Sequence, residues 1–100
     1  MEQKEVSDFI RKQIKIKTGR KILVIVYPFH IQVLFNFYEF HLQIRVYFPN
    51  ADDEFYIIIV ETYYDNEPAT RYRTGADTKK ELYDKIEDII ETIPVPRKVY

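Results

Sequence analysis

The stretch F29-H-I-Q-V-L-F-N-F-Y-E-F-H-L-Q-I-R-V-Y-F48 decides the fold, because it runs without a Gly or a Pro to punctuate it. One straight strand of that length would span about 65 Å at ~3.3 Å per residue. A domain of this size has a radius of gyration of about 13 Å, so an unbroken strand would project from the body. The alternation shows where the chain folds back. Apolar residues hold the odd positions Phe29, Ile31, Val33 and Phe35, then the even positions Phe40, Leu42, Ile44, Val46 and Phe48. Parity flips between Asn36 and Glu39. Pairing Phe35 with Phe40, Val33 with Leu42 and Ile31 with Ile44 aligns both apolar rows on one face. This predicts a hairpin over strands 29–35 and 40–48 with a four-residue loop, Asn36-Phe37-Tyr38-Glu39, where Asn suits the first position of a type I turn. A β-bulge would also flip parity within one bent strand. A helix would gather Gln32, Asn36, Glu39 and Gln43 on one stripe, but it would use Ile, Val, Phe and Tyr where helix formers are wanted.

Upstream, residues 3–17 read as a helix, with Val6, Phe9, Ile10 and Ile14 on one stripe and Gly19 as its stop. Residues 21–27 are apolar on both parities. That predicts a strand buried on both faces, central in the sheet or at an edge covered by a partner. Pro28 ends it. Downstream, P49-N-A-D-D-E54 is a polar loop, 55–64 a strand, D65-N-E-P68 a turn and 69–74 a returning strand. Across that turn, Glu61 is placed to pair with Arg71 or Arg73. Thr78 and Glu81 make a capping box for a helix over 78–93, with Asp77 the alternative cap, and its stripe is Leu82, Ile86, Ile89, Ile90 and Ile93. The tail after Pro94 is extended. The expected architecture is a single α+β domain over 1–100, an antiparallel sheet of about five strands with both helices on one face. The other face is expected to carry His, Gln, Arg and Tyr, either wet or as a subunit interface.

The composition fits a folded globular chain, 46% hydrophobic and 31% charged, with a net charge of −1. The absence of cysteine removes disulfides, thiolate nucleophiles and zinc–thiolate sites. No apolar run approaches the ~20 residues of a membrane helix, and M-E-Q-K-E lacks a signal peptide's basic-then-apolar pattern, so an intracellular location is expected. Two Gly, one Met, few Asn and Gln, high charge and short loops lean towards adaptation to heat. With its many Tyr and Ile and its compact layout, the chain resembles in style the small orphan proteins of filamentous and rod-shaped viruses that infect hyperthermophilic archaea. The resemblance implies a small, often dimeric protein in the host cytoplasm. It carries no functional residue across.

Charge is uneven, +4 over residues 1–48 and −5 over 49–100. Arg11, Lys12, Lys15, Lys17, Arg20 and Lys21 form a basic cluster. It reads first as a solvated helix end where the dipole favours cations, and second as a nucleic-acid backbone contact. Phe37 and Tyr38 fall at the expected hairpin tip, where Gly, Asn, Asp or Pro is usual, so they are a candidate interaction tip. His30 and His41 are read as structural groups on the polar face. Asp52, Asp53 and Glu54 could meet a divalent cation only with carboxylates from elsewhere. No nucleophile, Walker or dinucleotide pattern occurs, and no catalytic, cofactor or metal residue is assigned. The expected function is therefore a non-enzymatic binding or accessory protein, a homodimer acting through protein–protein contacts. A nucleic-acid-binding protein is the alternative, and a metal-dependent hydrolase comes third.

Overall fold

A computed structural model describes residues 2–50 and 54–94. Along the chain lie α1 (Glu2–Thr18), β1 (Leu23–Val26), β2 (His30–Phe37), β3 (Phe40–Tyr47), β4 (Tyr56–Tyr64), β5 (Glu67–Ala76) and α2 (Lys79–Glu91). The strands form one antiparallel sheet in the order β1-β2-β3-β4-β5, so each pairs with its sequence neighbours. The fold is α+β, as the alternation predicts. The expected loop at 49–54 and the tail after Pro94 lie largely outside the described residues.

The opening stretch is a hairpin, but its turn is shorter than expected. His30 stands opposite Tyr47, and the ladder continues to Phe37 opposite Phe40. Only Tyr38 and Glu39 turn the chain, and Tyr38 takes a left-handed φ of 55°. The expected register differs from this by two residues, which leaves every apolar side chain on the same face. Parity therefore could not separate the two registers. Burial does, because the tighter turn puts Phe37 into the core at 8% exposure and leaves Tyr38 at 68%.

Two further expectations need correction. The strand expected over 21–27 shrinks to Leu23–Val26 and takes the edge, the second of its two expected placements, but it is not buried on both faces, since Leu23 and Val26 are exposed. β5 starts at Glu67 rather than Ala69, because Asp65 and Asn66, both at positive φ, turn the chain alone. That pair of left-handed residues is what a two-residue hairpin loop requires. Pro68 is accommodated because β5 is the opposite edge, where a missing N–H can face outward.

One row of each strand faces the helices. Ile31, Val33, Phe35 and Phe37 on β2 meet Phe40, Leu42, Ile44 and Val46 on β3, with Ile58 and Val60 beyond them. Val6, Ile10 and Ile14 of α1 and Leu82, Ile86, Ile89 and Ile90 of α2 seal them. Each such side chain contributes about 1.5–3 kcal/mol when fully buried. Glu5 binds Lys79 at 2.8 Å where both helices begin, and Lys17 approaches Glu91 at 3.6 Å where both end. The helices are therefore parallel. Gly19, at φ 74°, closes α1 by donating its N–H to Lys15. Thr78 caps α2 by accepting from the Glu81 N–H, while the Glu81 carboxylate reaches back to Asp77.

Candidate interaction surface

Among the described residues, no layer lies over the sheet's second face. Its rows follow from the registers. Ile25, Gln32, Arg45, Ile59 and Arg73 form one row, and Leu23, Leu34, Gln43, Glu61 and Arg71 the next. Polar residues were expected here, and they are present, but they share the face with half-buried Ile25, Leu34, Ile57 and Ile59. The sequence signal was the run Ile57-Ile58-Ile59-Val60, apolar on both parities like the run at 22–27.

The polar groups are fixed by neighbours. His30 is stacked between Tyr27, with centroids 4.4 Å apart, and Tyr47, at 4.6 Å. Burial, with the Arg45 charge adding to it, pushes the His30 imidazole below its ordinary pKa. His41 bonds Asn36 at 2.6 Å, its partner across the hairpin. The two histidines lie at opposite ends of the face. Glu61 stands opposite Arg71 in register, yet its ion pair is with Arg45, at 3.7 Å. The Tyr63 hydroxyl also donates to Glu61 at 2.7 Å, and that bond raises the Tyr63 pKa.

The β1 edge is the more exposed feature. Tyr27 donates its N–H to the His30 carbonyl, in the same register as the β1–β2 ladder. In an antiparallel pair, residues two apart repeat the pattern, so Leu23 and Ile25 spend their backbone groups on β2. The N–H and C=O groups of Val24 and Val26 therefore point outward along the edge. The side chains are apolar on both faces, with Leu23 59% and Val26 60% exposed. Unpaired, apolar and flat edges are where sheets recruit another strand. The β5 edge is defended by contrast. It carries Pro68, Glu67, Arg71 and Arg73, and Ala69 is bulged out of register between the Thr62–Thr70 and Tyr63–Pro68 pairs.

α1 packs across β2 and leaves β1 beside it. The channel between them, about 280 Å³, is lined by Gln3, Lys4, Ser7, Asp8, Arg11, Val24 and Val26. A neighbouring groove of about 310 Å³ is lined by Arg11, Lys15, Arg20, Lys21 and Ile22. Four of the six candidate cations thus converge, with no carboxylate in the lining. Lys17 is turned to α2, where it also donates to the Glu91 carbonyl, and Lys12 does not line the groove. The candidate tip divides likewise. Tyr38 is exposed and Phe37 is buried, and the Arg20 guanidinium lies 4.6 Å from the Phe37 ring and 4.8 Å from the Tyr38 ring. What covers Phe37 is its own chain.

Among the described residues, no three His, Asp or Glu side chains stand close enough to share a metal ion, and no helix is long and apolar enough to cross a membrane. Asp52 and Asp53 lie outside the described residues. No family model, curated protein or solved structure matches the chain.

Proposed function

We propose that this chain is a non-enzymatic binding or accessory protein that acts through protein–protein contacts, with a homodimer as its working form. The observation that carries the reading is the undefended β1 edge, apolar on both faces and continuous with a sheet face on which Ile25, Leu34 and Ile59 stay half-exposed. Contiguous apolar surface of this kind marks contact sites. The resemblance in style supports a setting inside a host cell at high temperature as part of this reading. Sedimentation or light scattering across the micromolar range tests the reading. A mass of two chains supports it, and a mass of one chain throughout overturns it.

The groove of Arg11, Lys15, Arg20 and Lys21 favours a second reading, nucleic-acid binding. Clustered cations bind phosphates by releasing counterions, so such binding weakens steeply with salt. A gel-shift series on duplex and single-stranded probes tests it. Binding lost between low and moderate salt, and weakened by Lys15→Glu, would support it. No shift at low salt would dismiss it.

A further inference from the structure

We infer that the second copy joins at β1, strand to strand and antiparallel across a twofold axis beside Val24, so that two five-stranded sheets become one. This rests on the homodimer proposed above and adds where and how the copies meet.

Three features of the edge set the geometry. First, a continuous sheet with the helices on one side requires facing residues to come from the same side. Val24 and Val26 lie on the helix side, Leu23 and Ile25 on the open side. In an antiparallel twofold pairing one residue must then face its own copy, and Val24 and Ile25 are the two at the middle of the strand. Second, the outward backbone groups belong to Val24 and Val26, and the same alternation extends to Ile22 and Pro28. With the axis at Val24, Val24 pairs with itself and Ile22 with Val26, and every partner has both an N–H and a C=O. With the axis at Ile25, Ile22 would meet Pro28, which has no N–H and whose carbonyl already accepts from Gln3. The Val24 axis leaves fewer groups unpaired. Third, the other edge is closed to this role by Pro68 and the bulge at Ala69.

The helices agree with this arrangement. α1 runs antiparallel to β1, with Gln3 bonded to Pro28 at one end and Lys15 beside Ile22 at the other. The twofold therefore sets α1 antiparallel to its copy. Both helices lie over β2, so they would stand three strand spacings apart, about 14 Å. That is wider than direct helix packing at about 8–10 Å. The space falls above Val24 and Val26, and long side chains from both helices close over it.

The chain has no cysteine, so introduced thiols report cleanly. With the axis at Val24, Leu23 faces Ile25 of the other copy in a non-hydrogen-bonded pair, with Cα atoms about 4.5 Å apart. Disulfides form at Cα separations of about 4.4–6.8 Å, whereas like positions lie diagonally at about 7–8 Å. Leu23→Cys and Ile25→Cys chains, one lengthened by an affinity tag, are mixed, oxidised gently with diamide and resolved without reductant. Circular dichroism confirms that each folds, and sedimentation gives the mass of the parent chain. A dimeric parent and a mixed disulfide formed at least tenfold faster than either like pair is the expected result. A dimeric parent with no preference for the mixed pair overturns the β1 junction and leaves the homodimer standing. A monomeric parent overturns both.

Discussion

Phe37 stands directly opposite Phe40 across the β2–β3 ladder, and both rings are buried against the helix layer. This pairing makes neighbours in sequence unequal in energy. Phe37→Ala is expected to cost about 3 kcal/mol or more, as for a buried aromatic. Tyr38→Ala removes an exposed ring and one contact with Arg20, and is expected to cost under about 1 kcal/mol. Chemical denaturation of the two variants checks this. Equal losses would mean that both residues sit in the loop.

The Tyr56 hydroxyl donates to the Glu2 carboxylate, fastening the start of α1 to β4. Burial, with that bond adding to it, raises the Tyr56 pKa from 10.0 to about 12. A raised pKa in the fold favours the protonated form, so this contribution is whole below about pH 10 and is lost as pH rises towards 12. Stability measured from pH 9 to 12 should fall. Tyr56→Phe should flatten that fall while costing about 1.5–3 kcal/mol at neutral pH, the worth of a hydrogen bond to a charged group.

His30 predicts the opposite limb. Its folded pKa lies below the ordinary 6.5 through burial and the Arg45 charge. The contribution is present above about pH 6.5 and is lost as pH falls through the lower folded value. His30→Phe preserves the stack with Tyr27 and Tyr47 and should remove this part of the acid sensitivity. A melting-temperature series from pH 4 to 8 on both proteins would detect it. An unchanged slope in the variant would show that His30 is not responsible.

Asp65 and Asn66 turn β4 into β5 with φ of 49° and 66°. Glycine adopts that region without a Cβ penalty. Asn66→Gly should therefore be neutral or stabilising by up to about 0.5 kcal/mol, and Asn66→Val destabilising by about 1 kcal/mol or more. Thermal unfolding of the pair decides it.

Periodicity made the helices legible almost residue by residue, since Val6, Ile10, Ile14 and the stripe from Leu82 to Ile93 can face only one way on a helix. The strands were legible in number and in facing. The period of a strand is two, so a slip of two residues costs the pattern nothing, and only the burial of Phe37 fixes the turn at Tyr38 and Glu39. The position of β1 was illegible for a related reason. Residues 22–27 announce apolar surroundings on both faces without saying whether their own chain supplies them. The open face was half legible, because the hairpin alternation puts Arg45, Gln43 and His41 there, whereas the run Ile57-Ile58-Ile59-Val60, apolar on both parities, does not say which of its rows faces outward. The basic groove needed three dimensions, since the chain must reverse at Gly19 before Lys21 can stand beside Arg11.

The parallel helices carry a consequence for how the chain gets to its fold. Every strand pairs with its neighbour in sequence, so the sheet can zip from turn to turn with short closures. The contacts that bind α1 to α2 span 74 residues, as in Glu5 with Lys79 and Lys17 with Glu91. Loop-closure entropy makes such contacts late and local ones early. Folding should therefore begin in the hairpins of the meander and finish when the first helix of the chain meets the last. Substitutions at that helix seam should hasten unfolding more than they slow folding.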